Sequence, residues 1–369
     1  MINLHGLILA DRSANELREL VMCRTAASVP FAGRYRLIDF SLSSLQNAGV
    51  RDVGVIMQQD YQSLLDHIGS GKEWDMSRKR GGLRLLPPFG RQSGVGEYVS
   101  VIDALLAVRG YISDVKQDYI FLTRGSLAVN LDLAEIMAAH LKSGADVTAV
   151  CMPGTPEGTH HRFVADENGR VTELLFRRSG PGRGVAAMEA YIMAKTTLLD
   201  IIDRCDSALA RHFHRDGLGG LMEAGGSINV YMHEGYAVNI DTVDGYYKAN
   251  MDMLDAKNRH ELFPEDRPVY TKGRADVSTY YGEGSSVKNC LVADGCYIEG
   301  EVEHCVIFRG VRIEAGAVLK DCIIMQDSVI GAGAQLTNII SDKDVNVGAG
   351  VTLAGSPKLP LVVPKGSVL

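Results

Sequence analysis

The sequence predicts an α/β domain with a mostly parallel sheet, followed by a left-handed parallel β-helix. Along residues 1–260, apolar strands alternate with amphipathic helices, a pattern that builds a sheet covered on both faces. From residue 286 to 369 the chain is rich in Gly, Val and Ile, and aliphatic residues recur about every six positions. Residues 261–285 contain prolines and several charges, so we interpret them as the linker between the two domains.

The strands and helices of the first domain are expected in a regular order. The apolar stretch Leu4–Ala10 predicts the first strand, and the helical spacing of apolar residues predicts a helix over 38–49. Further strands are expected at Val53–Met57, 118–123, 146–152 and 187–193, and further helices at 61–68 and 246–258. Ligands of such sheets bind beyond the carboxyl ends of the strands. The site is therefore expected at the loop after Ala10 and the segment after Leu122.

The second domain is predicted from its repeat. Val311, Ala317 and Ile323 are six residues apart, and Ile330 and Leu336 repeat the step after a small slip of frame. Stacked coils bury such aliphatic side chains against one another, and their exposed faces are natural oligomer surfaces. The alternative is an ordinary β-sandwich.

Composition narrows the class of protein. The 369 residues carry a formal net charge of −7, which argues against a general nucleic-acid or membrane-surface binder. No apolar stretch approaches the length of a membrane span, and the first residues do not resemble a signal peptide. The seven cysteines form no CxxC pair and no zinc spacing, which favours reduced thiols. We therefore expect a cytoplasmic protein with no nucleic-acid or membrane partner.

The loop after the first strand lacks the glycines of a phosphate-binding loop. Residues 11–17 read Asp-Arg-Ser-Ala-Asn-Glu-Leu. Backbone N–H groups reach a phosphate only where side chains do not block them. Asp11 and Glu16 would in addition repel a triphosphate. The scaffold is therefore typical of nucleotide binding, but its anion cradle is missing.

Four separated segments resemble the sugar-nucleotide pyrophosphorylases, and among them the bacterial ADP-glucose pyrophosphorylase (glucose-1-phosphate adenylyltransferase) family. They are VPFAGRYRLIDF (29–40), HIGSGKEWD (67–75), YYKANMDML (246–254) and the hexad region 287–318. The resemblance covers nearly the whole chain. It implies a Rossmann-like nucleotidyltransferase domain, a left-handed β-helix and a tetrameric assembly.

The departures from the family pattern fall on the residues that carry its chemistry. The arginine of the GGxGxRL phosphate loop corresponds to Glu16, and a lysine that precedes the VPF segment corresponds to Ala26. The two aspartates that hold Mg²⁺ correspond to Ser126 and Asn239. The sugar-phosphate motif FVEKP corresponds to residues 174–178, with Phe176 in place of the carboxylate. The degenerate positions are thus Asp11, Glu16, Ala26, Ser126, Phe176 and Asn239.

The resemblance therefore implies a regulatory subunit with no catalytic residue, metal or cofactor of its own. Mg²⁺ is expected at a catalytic glucose-1-phosphate adenylyltransferase subunit, its partner in a heterotetramer. Two alternatives stay open: an active nucleotidyltransferase with a rebuilt loop, in which Asp241 replaces a metal ligand and Arg12 binds phosphate, and a sensor that binds a nucleotide or sugar phosphate without reaction.

Several basic residues and one histidine pair are further candidates. The resemblance makes Arg177 a candidate substrate ligand. It also implies that Arg34 and Arg36 bind an anionic effector such as a sugar phosphate, although an ion pair explains them equally well. Residues 78–80, Arg-Lys-Arg, are expected in an exposed loop. The pair at 160–161 is expected on a solvated loop and not at a metal, because adjacent histidines seldom point at one ion.

Overall fold

The computed structural model of the chain describes residues 2–10, 15–57, 60–79, 81–87, 100–152, 159–179 and 182–369. Strands of the first domain are β1 (Leu4–Ala10), β2 (Pro30–Phe31), β3 (Tyr35–Arg36), β4 (Val53–Met57), β5 (Leu83–Leu86), β6 (Tyr119–Arg124), β7 (Leu127–Val129), β8 (Val147–Met152), β9 (Thr159–Ala165), β10 (Val171–Ser179), β11 (Val185–Ala194), β12 (Ile228–Met232) and β13 (Ala237–Asn239). The α-helices are α1 (Ile38–Asn47), α2 (Gln62–Ile68), α3 (Val101–Ala107), α4 (Arg109–Asp114), α5 (Leu133–Ser143), α6 (Lys195–Ser207), α7 (Gly219–Glu223), α8 (Val243–Asp252) and α9 (Ala256–Leu262). Shorter 3₁₀ turns cover Asn15–Val21, Ala26–Ser28 and Lys72–Trp74, and a π-helical turn covers Phe213–Leu218.

The main sheet of the first domain is mixed. Its strand order is β10-β9-β11-β6-β1-β4-β5, and β8 and β12 extend it from β11. Strands β6, β1, β4 and β5 are parallel, whereas β11 runs antiparallel to β6, β8 and β9. The predicted α/β architecture is therefore confirmed, with a parallel centre that continues into an antiparallel half.

The central strand β1 explains why the sheet is covered on both faces. All seven of its residues are buried. Leu7 and Leu9 belong to one hydrophobic core, and Leu4 and Ile8 to another. Alternate side chains of a strand point to opposite faces, so a strand with helices on both sides is apolar throughout.

One predicted helix is in fact two. The periodic stretch 246–258 was expected to form a single helix, but α8 ends at Asp252 and α9 begins at Ala256. The Asp255 carboxylate accepts a hydrogen bond from the Lys257 N–H at 2.7 Å and caps the second helix. No helix in the described ranges is long and apolar enough to cross a membrane.

The second domain is the predicted left-handed β-helix, built from three parallel sheets of five short strands each. The first sheet contains Tyr280–Tyr281, Tyr297–Ile298, Arg312–Ile313, Val329–Ile330 and Asn346–Val347. The second contains Ser286–Lys288, Glu301–Glu303, Val318–Lys320, Gln335–Thr337 and Thr352–Ala354. The third contains Leu291–Val292, Val306–Ile307, Ile323–Ile324, Ile339–Ser341 and Leu361–Val363.

The frame slips of the repeat reflect the length of the coils. Equivalent residues lie 15 or 17 positions apart in most coil steps, as at Cys290, Cys305 and Cys322, and 22 apart in the last step of the third sheet, from Ile340 to Val362. One corner of the coil is left-handed backbone, with φ of 53° at both His304 and Asp321. Asn, Asp and His tolerate this backbone better than most residues, so the repeat does not need glycine at every corner. Cys305 and Cys322 are fully buried, as expected for small apolar side chains, and all seven cysteines are free.

The two domains share a third hydrophobic core, which we call the interdomain core. From the first domain it contains Leu17, Leu20, Ala26, Phe31 and Tyr246, and from the β-helix Phe308, Ile323, Met325 and Ile340. The segment that follows the degenerate phosphate loop therefore packs directly against the β-helix.

Candidate functional site

The candidate site lies at the carboxyl edge of the parallel strands. Strand β6 ends at Arg124, and the Gly125 N–H donates a hydrogen bond to the Leu9 carbonyl at 2.8 Å. A side chain at Gly125 would place its Cβ 2.7 Å from that of Ala27, so only glycine fits this turn. The turn then presents Ser126 beside strand β13, in the segment after Leu122 where the sequence predicts the site.

The two positions that correspond to metal-binding aspartates face each other. The Ser126 Oγ lies 3.4 Å from the Asn239 Oδ1. The Asn239 amide donates to the Asp241 Oδ2 at 2.8 Å. Ser126 and Asn239 are thus brought together, but both are neutral, and the one carboxylate beside them already accepts a hydrogen bond.

Arg124 adds a positive charge to the same place. Its Nη1 lies 3.4 Å from the Asp241 Oδ1 and its Nε lies 3.2 Å from the Glu189 Oε2. Its side chain is only 13% exposed, so solvent screens these ion pairs weakly. The guanidinium sits between two carboxylates, where its single positive charge offsets part of their negative charge.

These residues do not fit Mg²⁺. A small, hard cation requires several anionic oxygens in near-octahedral geometry. The described residues offer a hydroxyl, an amide and one carboxylate that contacts Asn239 and Arg124. Asp241 is therefore a poor replacement ligand for the absent aspartates.

The remaining degenerate positions are spread over different environments. Glu16 is exposed on a 3₁₀ turn, and Ala26 is buried in the interdomain core. Phe176 is 37% exposed on β10, with its ring 6.3 Å from that of His161. Asp11, Arg12 and the Arg177 side chain lie outside the described residues.

A cluster that the sequence did not predict lies beside Arg124. The ligand atoms of His161, Glu189 and His214 all lie within 4.8 Å of one another. The two imidazole rings stack with centroids 3.7 Å apart, and the Tyr191 hydroxyl lies 2.7 Å from the His214 Nε2. Burial lowers the pKa of His214 to about 3, so its imidazole is neutral.

The expectation for His161 was therefore wrong. It lies on strand β9, half-buried against His214, and not on a solvated loop. Its partners come from residues 189 and 214, far along the chain, and no local spacing could have revealed them. The side chain of its neighbour His160 lies outside the described residues. Residues 78 and 79 are exposed, as expected, and residue 80 is outside the described part.

The two candidate effector residues point to different partners. The Arg34 Nη2 pairs with the Asp294 Oδ2 of the β-helix at 2.5 Å, with both side chains well exposed. Arg36 donates to the Ser63 hydroxyl at 2.8 Å, and burial lowers its pKa to about 10. Burial, followed by the charges of Arg36 and Arg24, lowers the pKa of Lys343 to about 7. Lys343, absent from the sequence-based candidates, therefore belongs to the same basic region as Arg36.

The family motifs that the chain retains meet one another. The Asp39 Oδ1 lies 2.5 Å from the His67 Nε2, which joins the first motif to the second. The Tyr246 hydroxyl donates to the Pro30 carbonyl at 2.7 Å, which joins the third motif to the first. Tyr247 donates to the Asp321 carbonyl of the β-helix at 2.8 Å. The retained motifs thus contact one another within the first domain, and the third motif also connects that domain to the β-helix.

Comparison with known proteins agrees with this architecture. The chain matches the family model described as nucleotidyl transferase over residues 5–256, and the model described as GlmU-like, C-terminal hexapeptide over residues 276–358. It is 34% identical to the glycogen biosynthesis protein GlgD of Bacillus subtilis (strain 168), over 98% of this chain and 96% of that protein. It is 32% identical to the glucose-1-phosphate adenylyltransferase of Geobacillus stearothermophilus, over 85% of this chain and 82% of that protein. The corresponding protein of Bacillus anthracis is 30% identical over 86% of this chain and 85% of its own length.

Proposed function

Since this chain belongs to the nucleotidyl transferase family, among relatives of the ADP-glucose pyrophosphorylase kind, we propose that it is a regulatory subunit without catalysis of its own. Its partner is a catalytic glucose-1-phosphate adenylyltransferase subunit, and its role is in the synthesis of ADP-glucose for glycogen. The two kinds of chain form a heterotetramer.

One observation supports the absence of catalysis most strongly. The Arg124 guanidinium lies between Asp241 and Glu189, beside the neutral Ser126 and Asn239. Nucleotidyl transfer needs a divalent ion to neutralise the charge that develops on the phosphates. The neutral Ser126 and Asn239 provide no anionic oxygens for that ion, and the Asp241 carboxylate beside them already contacts Arg124 and Asn239. Mg²⁺ therefore acts at the partner subunit.

The retained interdomain contacts support a role in assembly. A regulatory subunit acts when it binds one conformation of its partner better than another, and couplings of about 1–3 kcal/mol change affinity from several-fold to about a hundred-fold. Such coupling requires a rigid scaffold, but it does not require the regulatory subunit to catalyse a reaction. The contacts of Asp39, Tyr246 and Tyr247 provide that rigidity.

The test is co-expression with a catalytic glucose-1-phosphate adenylyltransferase subunit. We expect the two chains to co-purify, and the complex to convert ATP and glucose 1-phosphate with a KM or kcat different from that of the catalytic chain alone. A mixture that neither associates nor changes the kinetics would refute the proposal. Turnover by this chain alone with Mg²⁺ would instead establish the alternative of an active enzyme.

A basic region at the domain junction supports a second, compatible function, the binding of an anionic effector. Burial, followed by the charges of Arg36 and Arg24, lowers the pKa of Lys343, and a bound phosphate group would favour its charged form. We expect a sugar phosphate to raise the melting temperature of the chain, and Lys343→Met to reduce that shift. An equal shift in the variant and the parent chain would exclude this region as the effector site.

A further inference from the structure

We propose that His161, Glu189 and His214 form a binding site for a divalent transition-metal ion, with Zn²⁺ the best suited. The site is separate from the Ser126–Asn239 pair, because Arg124 lies between them. It does not depend on the regulatory function proposed above.

The three side chains come from separate elements and converge. His161 lies on β9, Glu189 on β11 and His214 on the π-helical turn Phe213–Leu218. Their ligand atoms lie within 4.8 Å of one another. Two imidazoles and one carboxylate are a ligand set that zinc uses with a fourth position open, whereas Mg²⁺ and Ca²⁺ prefer oxygen ligands alone.

Glu189 occupies a backbone that favours glycine. Its φ is +54°, and the register of β11 against β8 shifts between Ala187 and Ala190. A non-glycine residue in this region costs about 1–3 kcal/mol, and such residues cluster at functional sites. The bulge turns the carboxylate toward the two histidines, which gives a reason for the strained glutamate.

His214 also lies on an irregular backbone. In the π-helical turn, the Gly217 N–H bonds to the His212 carbonyl five residues earlier. Single π turns are rare and recur at functional sites. The ring is buried, 8% exposed, and imidazole nitrogens are the commonest metal ligands in proteins.

Neighbouring groups can orient the ligands. When His214 binds a metal through Nδ1, its Nε2–H donates to the Tyr191 hydroxyl oxygen, 2.7 Å away. Arg124 holds one oxygen of Glu189 at 3.2 Å. Two nitrogen ligands of a tetrahedral zinc lie about 3.4 Å apart for Zn–N distances of about 2.1 Å. Metal binding therefore requires the stacked rings, whose centroids lie 3.7 Å apart, to turn toward a common point.

The experiment uses the isolated full chain, stripped with a chelator. Zn²⁺ is titrated against a chromophoric competitor, and Co²⁺ is added to report the ligands by its visible spectrum. We expect one ion per chain, and a loss of at least tenfold in affinity in His161→Gln and in Glu189→Gln. His260→Gln, an exposed histidine on α9, is the matched control and should bind as the parent chain does.

Two further measurements keep the test decisive. Glu189→Gly relieves the left-handed backbone but removes a partner of Arg124, so circular dichroism and thermal unfolding of each variant establish that it is folded before its metal binding is compared. A thiolate-to-cobalt charge-transfer band would place the ion on a cysteine and overturn the proposal. So would the absence of a stoichiometric ion in the parent chain, or binding that is unchanged in Glu189→Gln and His161→Gln.

Discussion

The interdomain core and the carboxyl edge of the sheet hold their charged residues differently. At the domain interface Arg24 is fully buried, and its Nη2 contacts both oxygens of Asp342 at 2.9 and 2.8 Å. At the carboxyl edge, Arg124 is shared between Asp241 and Glu189 at longer distances, with Asp241 about a third exposed. The first arrangement is built to join two domains. The second places a cation beside Ser126 and Asn239, the two positions where the family resemblance implies metal-binding aspartates.

This difference between the two regions indicates that the domain interface contributes more to the stability of the fold than the carboxyl edge does. Tyr246 and Asn250 of the third motif bond to the backbone of Pro30 and Ala32 in the first. The degenerate positions Ser126 and Asn239 contact each other only at 3.4 Å, and the Asn239 amide donates to the partly exposed Asp241 at 2.8 Å. Substitutions at the domain interface should therefore cost stability, whereas substitutions at the carboxyl edge should cost little.

The largest effect is expected from Arg24→Ala. It leaves the Asp342 carboxylate buried without its ion-pair partner, and breaking a buried pair in this way costs about 3–5 kcal/mol. Burial alone would lower the pKa of Arg24, but Asp342 and Cys23 raise it above its ordinary value, so the guanidinium is charged at every accessible pH. Urea unfolding measures the loss.

Two controls sharpen this prediction. Arg183→Ala removes one partner of the exposed Arg183–Glu173 pair and should change the free energy of unfolding by less than about 1 kcal/mol. The double variant Arg24→Met, Asp342→Leu removes both charges and should recover most of the loss. Equal stability of Arg24→Ala and the parent chain would contradict a stabilising domain interface.

The next effect is a pH dependence at Lys343. Burial, the charges of Arg36 and Arg24, and that of Lys365 lower its pKa to about 7, whereas Asp342 raises it. Between pH 7 and 10.5 the unfolded chain holds a proton that the folded chain has lost, so stability rises with pH in that window and is flat below it. The full shift corresponds to about 4–5 kcal/mol. Because Lys343 is partly exposed, we expect about 2 kcal/mol of it.

Lys343→Met isolates that dependence from the cysteines and tyrosines that titrate in the same range. The difference in unfolding free energy between the parent chain and the variant should change steadily from pH 7 to 10, in favour of the parent chain. A difference that stays constant with pH would show that Lys343 keeps its ordinary pKa.

A smaller effect is expected from Tyr246→Phe. The buried hydroxyl donates to the Pro30 carbonyl at 2.7 Å, and the loss of one such hydrogen bond costs about 1 kcal/mol. Tyr281→Phe, at a tyrosine that is 49% exposed, should stay within about 0.5 kcal/mol of the parent chain. If the two variants have the same melting temperature, the hydrogen bond between the third motif and Pro30 does not stabilise the fold.

The sequence was sufficient for the parts of the fold that depend on periodicity. The strand at Leu4–Ala10 follows from its continuous apolar run, and the β-helix from the six-residue spacing. The break between α8 and α9 was missed, because the Asp255 cap interrupts a pattern that is otherwise periodic. An aspartate is a known signal for a helix start, but here the periodicity on both sides of Asp255 outweighed it.

The candidate site was predictable only as far as its position. The end of β6 and the facing Ser126 and Asn239 follow from strand order and from the family motifs. The contact of Arg124 with Glu189, and that of Glu189 with the histidines, depend on a bulge and a left-handed residue in β11. Such local distortions arise from tertiary packing, and no spacing in the sequence encodes them.

The smallest effect is expected when aspartates are introduced at the carboxyl edge. The double variant Ser126→Asp, Asn239→Asp should remain without turnover of ATP and glucose 1-phosphate in Mg²⁺. Arg124 still neutralises the neighbouring carboxylates, and the phosphate loop still lacks glycine and carries Glu16. Adding Arg124→Ser removes the competing cation, so the triple variant should bind Mn²⁺, followed by its electron paramagnetic resonance signal, more tightly than the double variant. Turnover in the double variant would show that two substitutions are enough to make this edge of the sheet catalytic. The carboxyl edge would then have kept its function almost as completely as the domain interface has kept its contacts.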